Sequence, residues 1–159
     1  MSENNTSKQN VYEQSIFIRA NATTVERCFS EQQLMHQWLN PALECVPVGD
    51  WSTEIGSKFN FRLKVPVLAP SLPSTVIERR PGLVVWGFDG FFVGRDRWEA
   101  LPETGTQGNA QGTTLLNRFE FTIPNPLISF GFNQFAAKWT KRDMESQLQR
   151  LKQIAERGL

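Results

Sequence analysis

Two polar side chains stand on strand faces that are otherwise apolar. In the alternating stretch Gly94 to Ala100, Asp96 shares a face with Trp98. In the stretch Thr113 to Ile123, Asn117 shares a face with Leu115, Phe119 and Phe121. Side chains two apart on a strand point the same way, so an inward Trp98 carries Asp96 inward with it. Burying a carboxylate or an amide without a partner costs roughly 1–3 kcal/mol or more. Two resolutions are open. The pair can bond each other or a nearby arginine, as buried polar groups generally do, or they can meet a ligand or a pocket water. In the second case Asn117 orients Asp96. Asp96 then accepts from a ligand hydroxyl, or serves as an acid/base once desolvation raises its pKa.

Other chemistry is sparsely provided for. His36 is the one histidine, which excludes multi-histidine metal sites and gives no reason to expect a zinc-type site. It falls on a short helix near Trp38 and reads as a surface residue. Cys28 and Cys45 belong to no pairing motif and read as small buried residues. No nucleophile–base pair is visible, and no metal or cofactor is expected.

The elements that must position Asp96 and Asn117 follow from the periodicity. Val11 to Ala20 alternates, with Ile16 and Ile18 on one face, and is the first strand. Thr23 with Glu26, and Ser30 with Gln33, have capping-box spacing and open two short helices carrying Val25 and Phe29, then Leu34 and Trp38, the second stopped by Pro41. Glu44 to Val48 is a short strand. Lys58 to Val65 sets Phe59, Phe61, Leu63 and Val65 against Lys58, Asn60, Arg62 and Lys64, so one side of the sheet faces water. Pro66 to Pro73 is a hairpin loop. Thr75 to Arg80, Leu83 to Phe88 and Gly94 to Ala100 are further strands, Pro102 to Gly112 is an exposed loop, and Thr113 to Ile123 is the last strand.

From Pro126 to about Arg157 the period turns helical, with one stripe of Ile128, Phe132, Phe135 and Trp139 and another of Met144, Leu148, Leu151 and Ala155. A helix of about 30 residues rises about 45 Å, enough to cross a sheet. The expected fold is α+β: a curved antiparallel sheet of about six to seven strands wrapped round a long C-terminal helix, with two short helices after the first strand. Residues 1–10 read as a disordered tail and 11–157 as a single domain.

The 159 residues suit one domain. A net charge of +1 gives no electrostatic reason to expect nucleic acid. No apolar run spans a membrane and no signal peptide is evident, so a cytoplasmic protein is expected. The aromatic choice, 12 Phe and 5 Trp against 1 Tyr, favours apolar packing or an apolar cavity. A bent sheet and a straight helix diverge, and large aromatics crowd the places where they do. Trp38, Phe59, Phe61, Trp86, Phe88, Trp98, Phe119, Phe132 and Phe135 are the candidate ligand contacts, although for most of them taken singly core packing is the favoured reading.

The chain resembles the START-like helix-grip superfamily (SRPBCC), in its polyketide-cyclase/dehydrase and lipid-transport branch. The resemblance runs from about Val11 to Glu156. Its carriers are SIFIRANATTVERCF, MHQWLNP, GSKFNFRL, ERRPGLVVWGFDG, GRDRWEALPE, GTTLLNRFEF and the final helix. It implies a cavity between sheet and C-terminal helix for lipids, polyketides or other hydrophobic compounds, with Trp38 and Trp86 lining or bracing it. Related chains often carry a histidine where this one has Asp96, and another polar residue where it has Asn117. Any acid–base role here therefore falls to Asp96.

Two functions are expected to compete. One is binding or transport of a small hydrophobic molecule, lipid, polyketide, quinone or pigment-like. The other is a cyclase or dehydratase using Asp96 and Asn117 in the same cavity. A protein-interaction role rests on analogy alone. Val67, Leu68 and Leu72 of the proline-rich loop, with Leu127, Ile128 and Phe130, could form a mouth that touches a membrane transiently, or could pack on one another.

Overall fold

The structure, a computed structural model, describes residues 8–64, 71–104 and 110–159. Seven strands form one antiparallel sheet: β1 (Asn10–Ile18), β2 (Leu43–Pro47), β3 (Lys58–Leu63), β4 (Ser71–Arg80), β5 (Leu83–Asp89), β6 (Val93–Thr104) and β7 (Ala110–Thr122). Their order is β1-β7-β6-β5-β4-β3-β2, so β2 to β7 meander while β1 joins the last strand. Helices α1 (Ala22–Ser30) and α2 (Gln32–Trp38) fill the connection between β1 and β2. A C-terminal helical segment, Pro126 to Glu156, lies in the grip of the curled sheet and packs on β1, α1 and α2. The architecture is the α+β helix grip that the order of elements predicts.

Curvature has local causes. In β4 the register against β5 shifts between Val76 and Glu78, leaving Ile77 as an outward bulge that bends the strand. In β6, Gly94 pairs with Phe88 on one side and Phe121 on the other. A Cβ there would collide with the Glu120 carbonyl, so β6 and β7 approach more closely than any other residue permits.

The helix starts differ from the capping boxes read in the sequence. Asn21 caps α1, its side chain accepting from the Thr24 N–H at 2.8 Å. Glu26 is thereby free to hold the β4–β5 turn: it accepts from Arg79 Nη2 at 2.6 Å and from the Gly82 N–H at 2.8 Å. Gly82 sits at φ +78°, the left-handed turn conformation that glycine accepts without strain. Glu31, not Ser30, precedes α2, and its side chain makes no cap bond.

Strand ends also move. β4 begins at Ser71 rather than Thr75, and β6 and β7 extend to Thr104 and from Ala110, narrowing the loop expected over Pro102 to Gly112. Val67 and Leu68 lie outside the described residues. Asn10 already pairs with Phe121, so strand enters the stretch read as a tail, whose first seven residues are also outside the description.

The C-terminal segment is helical throughout but not uniformly α. It comprises α3 (Pro126–Gly131), a π turn over Phe132–Ala136, and α4 (Ala137–Glu156). Asn125 caps α3, accepting from the Leu127 and Ile128 N–H groups at 2.9 and 3.2 Å. The i→i+5 bonding of a π turn widens the helix, so residues three apart no longer share a face. Of the stripe Ile128, Phe132, Phe135 and Trp139, only Phe132 is buried. The stripe Met144, Leu148, Leu151 and Ala155 is buried throughout.

Two apolar clusters result. The larger joins α1, α2 and α4 to the sheet and includes Ile18, Phe29, Trp38, Phe59, Trp86, Trp98, Leu148 and Leu151. The smaller holds Phe88, Phe121, Ile123 and Phe132, with Tyr12, Leu72, Phe92 and Phe119 packed half-buried against it.

Candidate functional site

Strand register lays the candidate residues out in rows. Trp86, Asp96, Phe119 and Tyr12 face one another across β5, β6, β7 and β1; Val84, Trp98, Asn117 and Gln14 form the next row. Asp96 therefore stands at the seam between the two clusters, with Trp86 and Trp98 from one and Phe119 from the other.

The carboxylate is held from two sides. Asn117 Nδ2 donates to Asp96 Oδ1 at 2.7 Å, and Trp98 Nε1 donates to Oδ2 at 2.8 Å. Asn117 Nδ2 also donates to the Arg97 carbonyl at 3.1 Å. Burial pushes the Asp96 carboxyl up to about 6, outweighing the two donors that favour its charged form. No arginine reaches it among the described residues. Arg95, Arg97 and Arg118 point to the opposite face, where they pair with Glu120, Glu99 and Glu13 at 3.2, 2.8 and 2.7 Å. The Asp96–Asn117 contact was open to sequence reading; the Trp98 bond was missed, although its signal, the shared face two residues apart, was present.

A further group had no sequence signal. The Trp86 indole N–H is buried and has no hydrogen-bond partner among the described residues, and Trp86 is the cross-strand neighbour of Asp96. By contrast Trp38 Nε1 donates to the Cys28 carbonyl at 2.7 Å and Trp51 Nε1 to the Ser30 carbonyl at 2.8 Å. A buried donor left unmade costs about 1–3 kcal/mol, so Trp86 differs from Trp38, Trp51 and Trp98, whose indoles all find acceptors.

The remaining candidates divide. Phe88 and Phe119 approach at 5.5 Å between ring centres, and Phe119 stacks on Phe121 at 4.4 Å. Phe132 meets Phe121 edge-on at 5.4 Å. Trp38 is fully packed 4.8 Å from Trp98 and braces it from behind. Phe59 is buried against Trp51 at 5.0 Å and Phe61 is half-buried, both on β3 at the far edge of the larger cluster. Phe135 is not with them: the π turn directs it outward, 84% exposed. His36 is exposed. Cys28 and Cys45 are buried, unpaired thiols, pushed by desolvation up to about 11 and about 12.

Aromatic rings occupy much of the space between sheet and helix. Tyr12, Phe61, Phe92, Phe119 and Asp96 nevertheless stay half-buried on or beside the concave face, which marks where the packing is not sealed. A separate depression of about 320 Å³ opens on the convex face, lined by Glu78, Val85, Arg95, Arg97, Arg118 and Glu120. It carries the ion pairs above and is charged, unlike the apolar pocket expected.

The family model for polyketide cyclase/dehydrase and lipid transport proteins matches residues 10–156. This chain belongs to that family. No functionally curated protein matches it in sequence. Its fold recurs in solved structures at low identity. The protein KanY is 16% identical with a TM-score of 0.70, over 94% of this chain and 99% of that one. The di-domain ARO/CYC StfQ from the steffimycin biosynthetic pathway is 13% identical with a TM-score of 0.68, over 94% of this chain and 51% of that one. A Thalictrum norcoclaurine synthase, a point mutant in complex with a transition state analogue, is 13% identical with a TM-score of 0.63, over 92% and 96%. Such likeness establishes the shared fold, while the polar set at Asp96 is read from this chain alone.

Proposed function

We propose that this protein binds a small hydrophobic molecule bearing an oxygen function, of the lipid, polyketide, quinone or pigment-like kind, between the sheet and the C-terminal helix. The observation that carries the reading is the buried, unbonded Trp86 N–H on the residue that pairs across the strands with Asp96, whose carboxyl Asn117 and Trp98 orient. An apolar ligand body replaces ring and water contacts there, its oxygen accepts from Trp86, and a hydroxyl bonds Asp96. Phe88, Trp98, Phe119 and Phe132 supply the apolar wall. The ligand enters where the half-buried Tyr12, Phe92 and Phe119 lie, at the end of the molecule nearest the π turn.

Two measurements test this. Native mass spectrometry followed by denaturing extraction identifies a co-purifying compound and its class. Tryptophan fluorescence titration compares naphthol with naphthalene: naphthol is expected to bind more tightly, and Trp86→Phe to erase about a tenfold part of that preference, the size of one lost hydrogen bond. Equal affinity for the two probes in the wild-type protein sinks the reading.

A second reading is favoured by one observation. A carboxyl at about 6, oriented by Asn117 and Trp98, is suited to exchange a proton near neutral pH. On this reading the protein is a cyclase or dehydratase acting on the same ligand. Turnover of a found substrate, abolished in Asp96→Asn with binding retained, selects it.

A further inference from the structure

The entry end of the molecule carries more exposed apolar surface than folding explains. Along the C-terminal segment Leu127 is 83% exposed, Phe130 66%, Phe135 84% and Trp139 55%. The tip of the β5–β6 hairpin adds to it. Phe92 packs edge-on against Phe132 at 5.6 Å, which fixes the tip beside the π turn, and its neighbours Phe91 and Val93 face outward. Scattered surface hydrophobes are ordinary; six gathered at one end are not.

Along the helical part of this patch the charges have one sign, while the hairpin tip carries the exposed Asp89 opposite Val93. No acidic residue occurs between Glu120 and Asp143, while Lys138, Lys141 and Arg142 are all exposed there. None of the three takes an ion pair among the described residues, and Lys141 Nζ lies over the Tyr12 ring at 4.8 Å, whereas the arginines of the convex face are paired with glutamates. Aromatic and aliphatic side chains projecting from a helix, flanked by basic residues, match the boundary between acyl chains and anionic headgroups. Trp139 suits that boundary in particular, having an apolar body and a polar N–H.

We propose that this end docks on an anionic lipid bilayer, inserting Leu127, Phe130, Phe135 and Trp139 while Lys138 and Arg142 meet the headgroups. Docking places the proposed ligand's entry point against the bilayer, so it rests on the binding reading for its purpose but not for its physical basis. The π turn lies at the centre of the contact. It joins the buried Phe132 to the exposed Phe135 within one turn, so the docked surface and the interior rings share one helical segment.

Flotation with phosphatidylcholine vesicles, with and without phosphatidylglycerol, tests the proposal on the full chain. The protein is expected to float with the mixed vesicles and far more weakly with pure phosphatidylcholine. Phe130→Ser/Phe135→Ser/Trp139→Ser is expected to lose at least about tenfold in affinity. Lys138→Gln and Arg142→Gln are each expected to lose about five-fold, and added salt to weaken binding likewise. Because these side chains are exposed, unchanged melting curves separate lost docking from lost folding. Absence of wild-type flotation overturns the proposal, as does flotation undiminished in the triple variant. Sedimentation velocity showing a patch-dependent dimer without vesicle binding overturns it in favour of a second copy as occupant. Naphthol titration keeps the two readings apart: docking with no naphthol binding removes the ligand reading alone, and naphthol binding without docking removes this one alone.

Discussion

The two apolar clusters of this molecule are built to different standards. In the larger, Ile18, Val25, Cys28, Phe29, Leu115 and Leu151 have essentially no exposed surface, and α1 is tied down by the Trp38 and Trp51 indoles. Polar side chains lock its outside. Asn40 Nδ2 donates to Asp143 at 2.7 Å, and Arg150 Nε donates to the Trp38 carbonyl at 2.8 Å. The smaller cluster has four buried members ringed by half-buried aromatics, and beyond them lie Phe130 and Phe135 in the open. Both use the same side-chain types. What differs is closure: one is clamped by two helices and a hydrogen-bond network, the other by a π turn and a hairpin tip. The first end is the more tightly closed, and the second is where the proposed ligand would enter.

That contrast is open to direct attack. The largest effect is expected from Phe29→Ala, which empties a sealed site between α1 and Trp98; urea denaturation should register a loss of about 3–5 kcal/mol. A much smaller loss would mean the closed end is not close-packed. Next comes the seam itself. Asp96 titrates at about 6 in the folded chain against 3.8 for the free side chain. Between these values the folded chain keeps a proton that the unfolded chain has released. Stability contributed by this group therefore falls as pH rises from about 4 to about 6, by about 3 kcal/mol in full. Asp96→Asn should abolish that slope in urea midpoints measured across the interval; an unaltered slope would assign it to other groups.

Smaller again is the clamp on the β4–β5 turn. Glu26→Gln leaves Arg79 without its counter-charge and is expected to cost about 2 kcal/mol by the same assay. Restoration by removing Arg79 as well would identify the pair as the cause. At the bottom of the scale, Phe135→Ala should alter stability by no more than about 0.5 kcal/mol, since the ring is exposed. A loss near that of Phe29→Ala would show the open end to be as tightly built as the closed one.

Sheet faces were legible in the sequence because alternation has a fixed period: Asp96 and Asn117 could be placed on the face of Trp98 and Phe119 from spacing alone, and they bond each other. Helix details were less so. Thr23 with Glu26 fits a capping box, but Asn21 is the better-placed oxygen and Glu26 is drawn to Arg79 from a strand far along the chain. Phe135 could not be located by periodicity, since Ile128, Phe132, Phe135 and Trp139 read as a regular α-helical face. The change of phase arises from backbone bonding in the π turn, which those residue types do not announce. The orphan state of Trp86 is likewise a property of its surroundings and not of its spacing.

The pairing of β1 with β7 has a consequence for how the chain reaches this structure. Asn10 to Ile18 must wait for Thr113 to Phe121, partners roughly a hundred residues later, a separation that slows folding through the cost of loop closure. During synthesis β1 has no strand neighbour until β7, the last strand described, has left the ribosome. The meander from β2 to β7 can assemble by hairpins in the meantime. Nascent β1, with Ile16, Phe17 and Ile18, is thus the stretch most in need of protection from aggregation, and its late addition is the step that completes the grip on α4.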